Sequence, residues 1–209
     1  MVNYSKYFDL ELFEGKISKH QYPWHFHNCY TIILVEVGSI TYEFQDTSLK
    51  INEAEALIIA PDVIHRNTIS KQTVYKALFL PKEYFSLADQ NKIQTQILKQ
   101  TDIVKKLVEL FNKIKLNIDK NEINDSIFIN QLQVPDSEIS YSRSNLSPEI
   151  DYDLPIDELA EKAHLSKFHF QRKFKKSNGL TIGQLKQQEK TIKAKTLLEK
   201  GKMATNVAD

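Results

Sequence analysis

Residues 158–201 read ELAEKAHLSKFHFQRKFKKSNGLTIGQLKQQEKTIKAKTLLEKG. The stretch predicts three helices in close succession. The first covers Ile156–Ala163. His164 and Leu165 break it, and the Ser166 hydroxyl is suited to cap the next helix. That second helix runs to about Lys176 and is ended by Asn178-Gly179, because glycine enters a left-handed turn without steric cost. Thr181-x-x-Gln184 has capping-box spacing. It opens a long third helix to Lys200, with Gly201 beyond its end.

The middle helix has two unlike faces. Phe170 and Phe174 lie four apart and can pack on Leu159 and Leu165. Phe168, Gln171, Arg172 and Lys175 form the opposite stripe, flanked by Lys167 and Lys176. These are groups that read a major groove. Arginine pairs with guanine and glutamine with adenine, an aromatic ring meets a thymine methyl, and lysines neutralise phosphates. A solvated basic helix would carry the same composition. The charge distribution favours a nucleic-acid partner although the whole chain is only +1. Residues 136–161 hold eight acids and one base, Arg143, whereas residues 164–202 hold eleven Lys and Arg against Glu189 and Glu199.

The order of helix, break, basic helix, glycine turn and long basic helix, with its Ala194-Lys195-x-Leu197-Leu198 ending, resembles the AraC/XylS family of bacterial transcription regulators. The resemblance implies DNA as a partner, with Lys167, Phe168, Gln171, Arg172, Lys175 and Lys176 as the DNA-binding residues. It also implies two helix-turn-helix modules joined by the long helix. MATNVAD, residues 203–209, is then expected to open a second module whose recognition helix the sequence does not contain. Lys190 and Leu185 stand where that family usually has arginine and often tyrosine.

Residues 1–80 have a different texture. TIILVEV and ITYEF are rich in β-branched and aromatic residues, and Gly38-Ser39 between them predicts a tight hairpin turn. LKI, EALIIA and VYKALFL continue the pattern between polar breaks, as in a small barrel or sandwich. PWHFHNCYTI holds His25-x-His27, and His65 follows in APDVIHR. On a strand His25, His27, Cys29 and Thr31 would share a face. This set resembles a cupin barrel, the sensor fold that many AraC/XylS regulators carry. Where a metal cupin carries a carboxylate after the second histidine, this chain has Thr31, so no metal or other cofactor is expected. The three histidines could instead satisfy buried polar partners, or could contact an effector. We assign His25, His27, Tyr30, Tyr42, Phe44 and His65 to an unknown small-molecule effector, in an interior also lined by Trp24. Cys29 reads as a small buried apolar residue.

Pro81 opens a helical section, residues 81–133. Ile103, Val104, Leu107, Val108, Leu110, Phe111 and Ile114 recur at helical spacing, and a second helix is expected over INDSIFINQLQ, residues 123–133. The apolar positions of the first helix wrap widely, so the helices at 103–133 are read as a homodimer contact. VPDSEISYSRSNLSPEIDYDLP, residues 134–155, is polar and proline-containing and reads as a linker. The fold class is therefore α+β: a cupin-like sensor barrel over 1–80, dimerisation helices over 81–133, the linker, and an incomplete helix-turn-helix domain over 156–209.

A single cysteine and the lack of any long apolar run exclude an internal disulfide and a spanning helix. The expected protein is a cytoplasmic, non-enzymatic, DNA-binding regulator with no membrane partner. Two other classes stay open: a metal-dependent cupin enzyme using the three histidines, and a ligand-binding dimerising module that reads no DNA.

Overall fold

A computed structural model of the chain describes residues 2–90, 93–99, 101–116 and 154–202. The expected helix at 123–133, residues 134–153 of the linker, and residues 203–209 lie outside these.

The N-terminal part is built from β1 (Val2–Tyr7), β2 (Leu10–Ile17), β3 (His20–Gln21), β4 (Cys29–Val37), β5 (Ser39–Glu43), β6 (Ser48–Asn52), β7 (Ala56–Ile59), β8 (Arg66–Ile69), β9 (Thr73–Pro81) and β10 (Gln96–Leu98). They form two sheets, one in the order β1-β2-β9-β4-β7-β10 and one in the order β3-β8-β5-β6. Every described pairing is antiparallel. The expected barrel is therefore realised as two facing sheets, without a continuous ladder closing them among the described residues. Two further expectations change. Gly38 is not a hairpin turn: β4 pairs with β7 and β9, while β5 pairs with β6 and β8. The chain steps from one sheet to the other at this residue. A positive φ of 87° and the Gln72 carbonyl, 2.8 Å from where a Cβ would stand, make glycine the fitting residue. The sheet also outlasts residue 80, because β10 returns to pair with β7.

The strand β4 explains the layering. Ile33 and Val35 pack into the core between the sheets with Ile40, Tyr42, Phe44 and Ile51. Tyr30, Ile32 and Leu34 point the other way, into a second core. That core is closed by helix α2 (Thr101–Lys115), which follows the short α1 (Leu87–Gln90). Ile103, Val104, Leu107, Leu110, Phe111 and Ile114 of α2 are all buried there. A strand covered on both faces must be apolar at every position, which is why IILV runs without alternation. The wide apolar stripe of α2 is thus used within the chain. Outside it Val108, 37% exposed, and Leu116, 78% exposed, remain.

The C-terminal part is α3 (Ile156–Lys162), α4 (Lys167–Asn178) and α5 (Ile182–Glu199). His164 turns the chain with φ 55°, and Ser166 Oγ accepts from the His169 amide at 3.3 Å. Gly179 ends α4 with φ 73°. The Thr181–Gln184 capping box is formed in both directions, at 2.9 and 3.2 Å. Phe170 and Phe174 are buried with Leu159, Ala160, Leu180, Ile182 and Leu185. Among the described residues no helix is long and apolar enough to cross a membrane.

Phe111 tests the layering. Phe111→Ala should lower unfolding free energy in urea by about 3–5 kcal/mol, the cost of emptying a buried aromatic site. A loss below about 1 kcal/mol would show that α2 does not rest on the sheet.

Candidate functional site

Between β3 and β4 the chain passes Trp24, His25, Phe26 and His27, and successive side chains leave on opposite sides. The odd members turn toward the sensor interior. His25 pairs with His65 through two backbone hydrogen bonds, each 2.8 Å. The His25 and His65 rings are 4.3 Å apart, and His27 lies 5.0 and 5.6 Å from them. Phe79 borders His27 at 5.0 Å, and Tyr42 and Phe44 lie 5.9 and 6.3 Å from His65. Five of the six expected effector residues therefore converge. Tyr30 does not. As an even-numbered residue of β4 it faces α2, stacks edge-on against Phe85 and donates to the Gln90 carbonyl at 3.2 Å. Trp24 also leaves the interior, for the same reason of parity.

Burial sets the charge of the cluster. His25 is held below its usual pKa by desolvation, against a smaller opposing effect of the Pro23 carbonyl. His27 falls to about 3 through burial first, then through His25 and Lys195. His65 is pushed well down by burial, and by its two neighbours after that. The three rings are neutral near pH 7. Cys29 is half-buried and not the fully buried residue that sequence reading expected; its pKa is raised to about 12, chiefly by desolvation, so the thiol stays protonated.

The even members, Trp24 and Phe26, turn the other way and enter the core of the three helices, with Ile64 beside them. Gln188 of α5 clamps this segment. Its side-chain oxygen accepts from the Phe26 amide at 3.1 Å and its nitrogen donates to the Trp24 carbonyl at 2.9 Å. Arg66 lies over the Trp24 ring at 5.0 Å and is itself paired with Glu43 at 2.5 Å. Lys195 of α5 meets Glu11 of β2 at 2.5 Å, and Lys6 meets Glu199 at 2.6 Å. The result is a cavity of about 630 Å³ between the sensor and α5. His25, His27, Cys29 and Phe79 line one wall, and Gln188, Ile192 and Lys195 line the other. Sequence reading did not assign Glu11, Phe79, Gln188 or Lys195 to the site, although Lys195 stood in the quoted ending of the long helix. The last two are polar residues of a long helix whose apolar positions, Ile182, Leu185, Ile192, Leu197 and Leu198, do not mark them for a contact to a distant segment.

The expected DNA-binding residues fall on α4 as their spacing requires. Phe168 is 81% exposed, and Arg172, Lys175 and Lys176 are exposed. Gln171 is half-buried. Lys167 is tied to Asp157 of α3 at 3.0 Å. The stripe does not face open solvent alone. Phe168, Gln171, Arg172, Lys175 and Lys176 share a shallow groove of about 650 Å³ with Trp24 and Gln45, and Gln45 donates to the Lys176 carbonyl at 3.0 Å.

Comparison with known proteins agrees with this layout. The profile of the AraC-like ligand binding domain matches residues 7–132. No curated protein matches the chain. Among solved structures the chain is similar to the AraC-like transcriptional activator CuxR, at 13% identity, with 83% of this chain and 73% of that chain covered and a TM-score of 0.54. It is also similar to apo ToxT K231A from Vibrio cholerae strain SCE256, at 11% identity, with 95% and 85% covered and a TM-score of 0.55. At such identities the likeness is one of fold.

Removing the Gln188 clamp should be visible at one amide. In Gln188→Ala the Phe26 N–H loses the Gln188 acceptor, and its hydrogen exchange should speed up roughly tenfold, about 1.4 kcal/mol. The His25 amide, bonded to His65, should keep its rate. Unchanged exchange at Phe26 would show that α5 does not rest on this segment.

Proposed function

Because the chain belongs to the AraC-like ligand binding domain family, we propose that it is a transcription regulator whose sensor binds a small molecule and whose C-terminal helices read DNA. The observation that carries the reading is the cavity itself, which has the sensor on one wall and α5 on the other. A ligand there touches both parts. It acts by favouring one packing of the helices over another, to the extent that it binds the two packings unequally.

The reading face supports the second half. α3, α4 and α5 form a helix-turn-helix with its linker helix, and α4 is the recognition helix. Arg172, Gln171 and Phe168 reach base edges, and Lys167, Lys175 and Lys176 meet phosphates. In the packing described, Trp24 and Gln45 border the reading face in a shallow groove and Gln45 donates to the Lys176 carbonyl, contacts that would compete with a duplex approaching α4. The arrangement is then the silent one. A ligand in the cavity, or a shift of Gln188 on the Trp24–His27 segment, frees the face.

We further propose a homodimer through the outer side of α2, where Val108 and Leu116 stay exposed, and a cytoplasmic location, which suits the single unpaired cysteine. The protein is read as a binding protein and not an enzyme, since Thr31 stands where a catalytic carboxylate would be expected beside the histidines.

Selection from a random duplex pool, followed by anisotropy titration, tests the DNA reading. Arg172→Ala should weaken the selected duplex by about 1–3 kcal/mol and relax preference at one or two positions. Lys175→Ala should weaken all duplexes alike and reduce the salt slope by about 1. If the chain prefers no sequence over the random pool at any salt concentration, the DNA-reading half of the proposal fails.

A further inference from the structure

The cavity between the sensor and α5 is biased in charge. Four carboxylates line it, Asp9, Glu11, Glu83 and Glu199, against two ammonium groups, Lys82 and Lys195. The histidines of its wall add no positive charge near pH 7, because burial holds both rings below their usual pKa. Glu11 is the carboxylate on which the site turns. Its side chain is only 9% exposed, and it is balanced by the Lys195 ammonium at 2.5 Å, which reaches in from α5 on a side chain 54% exposed. A buried carboxylate needs a cation beside it. A long lysine at the surface leaves its partner at small cost, since its ammonium regains water and its stem regains rotamers. Lys195 is therefore a tethered cation in a place that a free one could take.

The hydrogen-bonding capacity of the walls has the same sense. The Thr191 hydroxyl donates to the Gln187 carbonyl at 2.8 Å, and the Thr196 hydroxyl donates to the Ile192 carbonyl at 3.0 Å. With their protons used inside α5, both oxygens can only accept from a ligand. The Gln188 amide is already committed to the Phe26 and Trp24 backbone. Neutral His27 keeps one acceptor nitrogen, and no hydrogen bond among the described residues uses its ring. What these walls offer a ligand is in the main negative charge and lone pairs. Tyr4 and Phe79 add aromatic rings to the same lining, and a ring face attracts a cation.

We infer that the cavity takes a small organic cation, an ammonium or guanidinium group on an apolar body, whose charged head displaces Lys195 from Glu11. The head donates to Glu11 and to the acceptors of α5, and the body lies against Phe79 and Tyr4. An anion is disfavoured, because it meets four carboxylates where it gains one lysine. An uncharged ligand leaves Lys195 in place and gains no ion pair. The inference rests on the reading of this cavity as the effector site, and not on the chain reading DNA. Since the Lys195–Glu11 pair ties α5 to β2, a cation that replaces Lys195 loosens that tie as it fills the cavity.

The test is isothermal titration of the whole chain at neutral pH with three probes of nearly one shape: phenethylammonium, its uncharged analogue phenethyl alcohol, and the carboxylate hydrocinnamate. Phenethylammonium is expected to bind with a Kd of about 1 mM, as suits so small a probe. It should bind roughly tenfold or more tighter than either analogue. Glu11→Gln, nearly the same shape without the charge, should weaken the ammonium by roughly tenfold or more and abolish the preference. Lys195→Met keeps an apolar stem and removes the internal competitor, so it should tighten the ammonium by roughly tenfold. An anionic ligand would respond to Lys195→Met with the opposite sign, because it would lose its counter-charge. The comparison of probes on the parent chain needs no variant to fold. Tighter binding of hydrocinnamate or phenethyl alcohol would overturn the cation and leave the cavity standing as the effector site. Equal affinities for the three probes, an ammonium affinity unchanged in Glu11→Gln, or one weakened in Lys195→Met would overturn it as well. No binding of any probe at about 10 mM would sink both the cation and the effector site on which it rests.

Discussion

The structure depends on one constraint: β4 is covered on both faces. Its inner side chains, Ile33 and Val35, close the core between the two sheets. Its outer ones, Ile32 and Leu34, need a second cover, and α2 provides it with six buried apolar residues. Each such side chain contributes about 1.5–3 kcal/mol relative to exposure. The layer order of helix, six-stranded sheet and four-stranded sheet follows from this demand. The step of the chain between sheets at Gly38 follows as well, because a strand already flanked by β7 and β9 has no free edge for β5.

The same parity that organises β4 organises the segment before it. Alternation sends His25 and His27 inward and Trp24 and Phe26 outward into the helical core. Four consecutive residues thus serve two compartments, and Gln188 bonds to the backbone between them. Any change that moves the histidine rings bears on the packing of Trp24 and Phe26, since the backbone that links them has only two soft dihedrals per residue. The buried Glu11, paired with Lys195, adds an electrostatic tie between β2 and α5 beside the same cavity.

Much of the local structure was legible. The Ser166 cap, the Gly179 turn and the Thr181–Gln184 box were readable because each is a contact among residues within a few positions of one another. The burial of Phe170 and Phe174 opposite an exposed Phe168 followed from helical period. The errors fall where period is not enough. Gly38-Ser39 has hairpin chemistry, yet pairing partners are chosen by the sheets and not by the turn. Tyr30 was placed beside the histidines because it is close to them in sequence, whereas the pleat puts it on the α2 side. β10 is three residues long, too short to carry a pattern. The wide stripe of α2, read from sequence as a contact with a second copy, covers the twisted sheet within the chain, so the proposed dimer rests on the exposed positions outside that stripe.

By itself, the sequence determined the elements and their faces: short strands before residue 81, an amphipathic helix after residue 100, and three capped helices at the end, one of them with a basic stripe. These are set by interactions between near neighbours and by the periods 2 and 3.6, which a linear string carries in full. Only the tertiary structure decided what those faces meet. It brought His65 to His25 across forty residues, and Gln188 and Lys195 to the Trp24–His27 segment and Glu11. It also laid the basic stripe of α4 against Trp24 and Gln45. The physical reason is that such contacts depend on loop closure and on which apolar faces compete for cover. Those are properties of the whole chain, and no local pattern records them.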